Sequence, residues 1–145
     1  MRLSKIRIAG IGGQGIKFAG EVLGKAATLD GFYASQRVAY TPATRGGPIH
    51  TDIIISESPI RNPLIETPDV LCVLAQYALD QIIAQGEPIE GCLLILDQDT
   101  VQHVVLTNCL TFSAPFSRIA GRTVANMILI GFLARLFSIN LEKIA

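Results

Sequence analysis

The chain has 145 residues, of which 50% are apolar and only 17% are charged, and its mean hydropathy is +0.44. This length suits one domain, and the apolar content excludes an intrinsically disordered chain, because burial can offset the entropy of ordering. Twelve basic and twelve acidic residues cancel, so no net field favours nucleic acid or an anionic membrane as a partner. Because a net charge near zero promotes association, we expect a subunit of a larger assembly that self-associates when isolated.

Neither a membrane span nor an export signal is predicted. The most apolar stretch, residues 124–133, contains Asn126 and is shorter than the roughly 20 residues that cross a hydrocarbon core, so it is predicted to be a buried helix. No apolar segment precedes Gly10 that could act as a signal peptide. The cysteines are far apart and form no Cys-x-x-Cys, namely Cys72, Cys92 and Cys109. We therefore expect buried free thiols, a cytoplasmic location and no metal held by this chain.

Hydrophobic periodicity predicts strands that alternate with helices. The predicted strands comprise residues 5–10, 33–40, 49–56, 69–75, 92–97 and 104–112. The predicted helices comprise residues 16–29, 78–85 and 124–137, with the first turn of another at 141–145. The runs at 70–74 and 93–96 are apolar throughout, which is typical of strands covered on both faces. The sequence thus predicts a three-layer α/β fold, Rossmann-like, with a mostly parallel sheet, a central first strand and helices on both faces.

A glycine cluster joins the first predicted strand to the first predicted helix. Gly10, Gly12 and Gly15 form Gly-x-Gly-x-x-Gly, which allows two explanations. In one, the N–H groups at the helix N-terminus bind an anion; in the other, the glycines only let the helix pack closely on the strand. The second predicted strand ends at residues 38–40 without the acid that a dinucleotide ribose needs. Lys17 lies one place too late for a Walker A loop, so neither NAD nor ATP is favoured.

Longer strings around these glycines are more specific. Residues 8–15 read Ile-Ala-Gly-Ile-Gly-Gly-Gln-Gly, and residues 40–47 read Tyr-Thr-Pro-Ala-Thr-Arg-Gly-Gly. Together with residues 51–56, 68–71 and 124–127, they span nearly the whole chain. In this order they resemble the gamma subunit of 2-oxoacid:ferredoxin oxidoreductases, and they are closest to the 2-oxoglutarate branch of that family.

The resemblance implies a subunit of an oxidoreductase complex. Residues 1–145 would form one domain of the pyruvate/ketoisovalerate oxidoreductase gamma type, without a C-terminal helix that family members carry. The gamma chain would join alpha and beta chains, and in some members a delta chain, with ferredoxin as the electron acceptor. Thiamine diphosphate, magnesium and iron–sulfur clusters would lie on the other chains, and coenzyme A would accept the acyl group. This chain alone would bind no cofactor and be inactive. The alternative is a stand-alone nucleotide- or flavin-binding module.

The two glycine-rich loops are the predicted ligand site. Both follow carboxyl ends of predicted strands, where open parallel sheets place their ligands, so we expect them to face one cleft. The candidate residues, with no catalytic residue among them, are Gly12, Gly13, Gln14, Gly15, Tyr40, Arg45, Gly46 and Gly47. Arg45 could hold a phosphate or carboxylate with its guanidinium fork, or bind backbone carbonyls or a partner chain. Gln14 could contact a ligand or cap the helix, and Tyr40 could contact a ligand or pack in the core.

Five other polar residues are expected to have structural roles. His50 has no carboxylate or nucleophile at a readable spacing that would make it a general base. His103 is expected to face solvent, and Asp97 and Asp99 to cap a turn. Asn126 lies inside an apolar helix, and because an unpaired buried amide costs about 1–3 kcal/mol, it is expected to hydrogen-bond to a loop or another chain.

Overall fold

The computed structural model describes residues 3–40, 46–106 and 108–144. These residues form a sheet of six strands with helices on both sides. The strands are β1 (Leu3–Ile11), β2 (Tyr33–Tyr40), β3 (Pro48–Ser56), β4 (Val70–Val73), β5 (Leu93–Asp97) and β6 (Leu110–Ala114). The helices are α1 (Ile16–Leu29), α2 (Gln76–Ala84), α3 (Phe116–Ala120) and α4 (Ala125–Leu136), followed by a 3₁₀ turn (Leu141–Ile144). The predicted three-layer α/β architecture is confirmed.

The strand order is β2-β3-β1-β4-β5-β6, so the first strand lies inside the sheet as predicted. Strands β1, β4, β5 and β6 are mutually parallel, whereas β3 is antiparallel to both of its neighbours. Five of the six strands therefore run in one direction, and the sheet is mixed. The reversed strand follows from chain length, because the few residues between β2 and β3 allow a hairpin-like return but no crossover helix.

Helix α1 packs on β1 and β3 through small side chains. Its buried positions are Ile16, Ala19, Gly20, Leu23, Ala26 and Ala27. At Gly20 the sheet is so close that a Cβ atom would lie 2.7 Å from Thr51 Oγ1. Helix α4 extends this layer with Leu129 and Leu133, which join the same apolar core. The shape of the α1 face is therefore fixed by residues that have little or no side chain.

Helix α2 covers the opposite face of the sheet. Its buried residues Ala78, Leu79 and Ile82 pack in a second core with Leu71 and Leu94 of β4 and β5. These two strands thus have apolar contacts on both faces, as their uninterrupted apolar runs predict.

The predicted strand at residues 104–112 is wrong, because β6 occupies residues 110–114. The start of β5 explains the difference, because its first residue, Leu93, pairs with Leu110, and the residues directly before Leu93 are not part of a strand. Just before the predicted strand, the side chain of Gln76 binds backbone groups. Its Oε1 accepts hydrogen bonds from the backbone N–H groups of Gln102 (2.9 Å) and His103 (3.0 Å), and its Nε2 donates to the His103 carbonyl (2.9 Å). These contacts hold the connection that precedes β6, and the ladder with β5 begins only at Leu110.

The cysteines are free, as expected. Cys72 and Cys92 are buried and Cys109 is half-buried. Among the residues that the structure describes, no group of three or more His, Cys, Asp or Glu side chains could hold a metal ion. Within the same ranges, no helix has the length and apolar character needed to cross a membrane.

Candidate functional site

The two glycine-rich loops meet at one edge of the sheet. The Gly12 N–H donates to the Gly47 carbonyl at 3.2 Å, and a Cβ atom on Gly12 would lie 3.3 Å from the backbone nitrogen of Gly46. The predicted juxtaposition of these loops is therefore confirmed. Residues 41–45, which include Arg45, lie outside the described residues.

Close packing accounts for all three glycines of the Gly-x-Gly-x-x-Gly pattern. A Cβ atom on Gly10 would lie 2.5 Å from Gln14 Oε1, a Cβ on Gly12 would press on the neighbouring loop, and one on Gly15 would overlap Asn126 Nδ2. Gly13 differs, because nothing lies within 4 Å of its missing Cβ; its φ of +90°, like the φ of +68° at Gly15, favours glycine. The pattern thus brings the loop, the helix and α4 together and leaves Gly13 facing open space.

Gln14 holds the loop through both ends of its amide. Its Oε1 accepts from the Ile11 N–H at 2.9 Å, and its Nε2 donates to the Leu74 carbonyl at 2.8 Å. The side chain therefore ties the end of β1 to the end of β4. These two hydrogen bonds give Gln14 a structural role. A contact between Gln14 and a ligand stays a prediction.

The N-terminus of α1 opens into a cleft of about 450 Å³. Gly15 is the N-cap residue with φ 68°, no side chain of the described residues caps the helix, and its first turn contains no acid. The first N–H groups of a helix have no partner within it and carry a partial positive charge. Lys17, Phe18 and Glu21 line the cleft, and Lys17 Nζ lies 3.5 Å from Glu21 Oε1 in an exposed ion pair. Since an exposed pair is weak, the ammonium group is available to an anion.

Asn126 supports this helix end from behind. Its Nδ2 donates to the Gly15 carbonyl at 3.2 Å, as expected for an amide that binds a loop. The residue is 5% exposed, and its Oδ1 has no hydrogen-bond partner among the described residues. The α1 N-terminus is therefore fixed in position by a buried amide on another helix.

Tyr40 lies at the same edge but borders a different cavity. It is 66% exposed, so packing in the core is excluded for its side chain. Together with His50 it lines a cavity of about 220 Å³ between α2 and strands β1 to β3. Ile49, the register partner of Tyr40, lines both this cavity and the glycine-lined cleft. The two openings therefore adjoin at this edge of the sheet, although Tyr40 is not among the residues that line the cleft.

A buried ion network beneath that cavity is absent from the sequence predictions. Arg7 donates to both carboxylate oxygens of Asp52 at 2.7 and 2.9 Å, to the Ile65 carbonyl at 3.1 Å and to Glu87. Burial opposes the charge on Arg7, but its bonds to Asp52 and Glu87 outweigh burial and raise the pKa of the guanidinium. One signal could have identified the pair, namely that Arg7 stands between Ile6 and Ile8 and Asp52 directly precedes three isoleucines, within segments that read as strands.

His50 borders the network, with Nε2 at 4.0 Å from Asp52 Oδ1. Burial, and then the positive charge of Arg7, lower the pKa of His50, while Asp52 and Glu87 act in the opposite direction. The neutral imidazole is therefore favoured. The expectation that no carboxylate stands at a readable spacing is therefore wrong, because Asp52 lies two residues along the same strand and shares the face of His50. Both oxygens of that carboxylate are bound by Arg7.

Asp97 caps a turn, as predicted, whereas Asp99 binds the start of the helix that follows. The Asp97 carboxylate accepts from the Asp99 N–H at 3.2 Å and from the hydroxyl of Ser117. Asp99 accepts from the N–H and the guanidinium of Arg118, at 2.9 and 2.7 Å. Their carboxylates thus fix α3, a short helix that the periodicity did not predict, and His103 faces solvent as expected.

Comparisons with known proteins agree with the resemblance drawn from the glycine-rich strings. Residues 5–145 match the family described as pyruvate ferredoxin/flavodoxin oxidoreductase. The chain is 40% identical over 139 residues to 2-oxoglutarate synthase subunit KorC of Methanothermobacter marburgensis, which covers 89% of this chain and 75% of that one. It is 37% identical over 143 residues to the KorC subunit of Methanocaldococcus jannaschii, with 93% and 75% covered.

A solved structure extends the comparison to the fold. The gamma subunit of a keto/oxoacid ferredoxin oxidoreductase from Geobacter sulfurreducens matches with a TM-score of 0.79 and 30% identity. The match covers 97% of this chain and 79% of that subunit. Sequence and fold thus agree over nearly the whole chain, which belongs to the pyruvate ferredoxin/flavodoxin oxidoreductase family.

Proposed function

We propose that the chain is the gamma subunit of a 2-oxoglutarate:ferredoxin oxidoreductase. The observation that carries this proposal is the identity of 37–40% to the two KorC subunits of 2-oxoglutarate synthases, over 75% of their length. The complex would join this chain to alpha and beta subunits, and in some forms to a delta subunit, in the cytoplasm. It would decarboxylate the 2-oxoacid, transfer the acyl group to coenzyme A and reduce ferredoxin.

Thiamine diphosphate, magnesium and iron–sulfur clusters fit the partner chains better than this one. A cluster needs about four thiolates in one place, whereas this chain has three cysteines, and no group of three metal-ligating side chains is found among the described residues. The role of this chain is therefore to shape and support a site whose redox groups belong to other subunits.

Coenzyme A fits the glycine-rich edge of this chain. The uncapped N-terminus of α1 offers backbone N–H groups, and Lys17 adds an ammonium group in the same cleft. Helix N-termini with free N–H groups bind phosphate, and Gly13 leaves the approach open. The first-turn N–H groups and Lys17 would hold a phosphate of coenzyme A, while Asn126 keeps the helix end in place. The bound group supplies the thiol that accepts the acyl unit.

The stand-alone dinucleotide-binding alternative is less favoured. In dinucleotide-binding folds an acid at the end of the second strand binds the ribose next to the glycine loop. Here β3 lies between β1 and β2, which separates them by roughly 10 Å at the usual strand spacing. The end of β2 carries Tyr40 instead of an acid.

Arg45 provides a test of the proposed site. In the complex reconstituted with alpha and beta subunits, Arg45→Ala should lower coenzyme A-dependent turnover of 2-oxoglutarate about tenfold, as expected for loss of a charge-assisted contact to phosphate. Assembly, measured by sedimentation, should be unchanged. Arg61→Ala is the matched control, since Arg61 is an exposed arginine in the connection that joins β3 to β4 at the opposite edge of the sheet.

Two outcomes would contradict the proposal in different ways. Equal turnover of the Arg45→Ala and wild-type complexes would remove Arg45 from the site but leave the subunit assignment intact. Failure of the wild-type chain to restore 2-oxoglutarate turnover to complexes that lack their gamma subunit would overturn the assignment itself.

A further inference from the structure

Two cysteines, each directly before a strand, lie in contact on the side of the sheet covered by α2. The Sγ atoms of Cys92 and Cys109 are 3.3 Å apart, and the Cys109 thiol donates to the Ile89 carbonyl at 3.0 Å. The two residues are 17 positions apart in the chain. Their contact is therefore created by the fold and could not be inferred from the cysteine spacing.

The backbone places the pair at a distance that a disulfide can bridge. Leu93 pairs with Leu110 in the parallel ladder of β5 and β6, and each cysteine comes one residue earlier. The N–H of Gly91 donates to the Asn108 carbonyl at 3.0 Å, so the strands are still adjacent there. Neighbouring strands lie about 4.8 Å apart, within the Cα separation of roughly 4.4–6.8 Å that disulfides need. Paired residues of a parallel ladder also point to the same side.

The two thiols differ in access to solvent. Cys109 is half-buried and lines a cavity of about 510 Å³ bounded by the segment that follows α2. Cys92 is 1% exposed and lies behind it. Burial, and then the bond to Cys109, raise the pKa of Cys92 to about 12. An oxidant in the cavity therefore reaches Cys109 first, with Cys92 in contact behind it.

We propose that Cys109 and Cys92 form an oxidation site, at which a peroxide converts the two thiols to a disulfide. A metal site is a poor explanation, because no third ligand stands beside the pair among the described residues. The proposal does not rest on the assignment of the chain to a 2-oxoacid oxidoreductase.

The chemistry takes two steps. The Cys109 thiolate attacks the peroxide, the O–O bond breaks, and Cys109 becomes a sulfenic acid while one oxygen leaves as water or an alcohol. The Cys92 sulfur then attacks the sulfenic sulfur, forms the S–S bond, loses its proton and expels the second oxygen as water. Two thiols are oxidised and one peroxide is reduced, so atoms and electrons balance. A thiol reductant reverses the product by exchange.

The test uses the full chain in its native complex, treated with hydrogen peroxide. After denaturation the three thiols of this chain should fall to one, and peptide mapping without reductant should join Cys92 to Cys109 while Cys72 stays reduced. Dithiothreitol should restore all three thiols. Three remaining thiols, a link to another chain, or oxidation of Cys72 in preference to the pair would overturn the proposal.

A variant without Cys92 tests the first step alone, because this step can be detected without formation of the disulfide. In Cys92→Ser, peroxide should leave a sulfenic acid on Cys109 that dimedone traps, whereas wild type should give little dimedone adduct. Cys72→Ser is the matched control and should form the disulfide as wild type does. Equal dimedone labelling of wild type and Cys92→Ser would contradict the role of Cys92 as the resolving thiol.

Discussion

The two faces of the sheet at β1 and β3 are built on different principles. Toward α1, the strands present isoleucines to a helix face rich in alanine and glycine. Added side-chain volume is what this face cannot accept, since Gly20 has no space for a Cβ. Toward α2, the same strands present Arg7 and Asp52. An unpaired charge is what this face cannot accept, since each side chain is 7% exposed or less and depends on the other. Adjacent residues of one strand therefore tolerate different changes. One face should fail when volume is added, and the other when a charge is left alone.

The largest effect is expected on the charged face. Arg7→Met leaves Asp52 and Glu87 without their cation, and because removing one partner of a buried pair costs about 3–5 kcal/mol, the free energy of unfolding should fall by about that amount. Urea unfolding measures it. Arg7→Met combined with Asp52→Leu should regain much of the loss, since no charge is then left alone in the strands. A loss below about 1 kcal/mol in the single variant would show that the pair is hydrated.

An intermediate effect is expected on the face toward α1. Gly20→Ala forces a Cβ against Thr51 Oγ1 and Gln36 Nε2, which should lower the free energy of unfolding by about 1–3 kcal/mol. Gly24 lies on the same helix, and the nearest atom to its missing Cβ is Ala34 Cβ at 3.9 Å. Gly24→Ala should therefore stabilise the chain by about 0.5–1 kcal/mol. Equal changes in the two variants would contradict the argument from shape.

The smallest effect concerns pH. Burial and Arg7 lower the pKa of His50 in the folded chain, so its contribution to stability is complete above the ordinary imidazole pKa of about 6.5. As the pH falls below that value, the unfolded chain binds a proton that the folded chain resists, and the free energy of unfolding decreases. Between about pH 7.5 and 5.5, wild type should therefore lose more stability than His50→Gln in urea unfolding. A steeper loss of stability in His50→Gln would contradict a lowered pKa of His50 in the folded chain.

Patterns within one segment predicted most of the fold. Helix α1 begins and ends at the predicted residues, and β2 has the predicted bounds, because small residues at helical spacing and alternating strand residues are local signals. The reversed direction of β3 was not predicted, since it depends on which strand it pairs with. Strand β6 was misplaced because its start depends on its register with β5, whose first residue, Leu93, pairs with Leu110.

The same distinction applies to the candidate site. The meeting of the glycine loops followed from the rule that ligand loops gather at the carboxyl ends of strands. The packing reason for Gly15 did not, because Asn126 comes from a helix 111 residues later. The contact between Cys92 and Cys109 depends on strand register in the same way. The features of the site that the sequence did not predict therefore depend on contacts between residues far apart in the chain.

The most direct test of the proposed role compares two lysines of α1. Lys17 lies in the cleft at the helix N-terminus, whereas Lys25 lies on the exposed side of the same helix two turns later. In the reconstituted complex, Lys17→Glu should raise the KM for coenzyme A about tenfold, because it places a carboxylate where the phosphate would bind. Lys25→Glu should leave the KM within about twofold of wild type, because exposed charges more than about 10 Å away are screened. An unchanged KM in Lys17→Glu, or an equal rise in both variants, would contradict a coenzyme A phosphate at the glycine-rich edge.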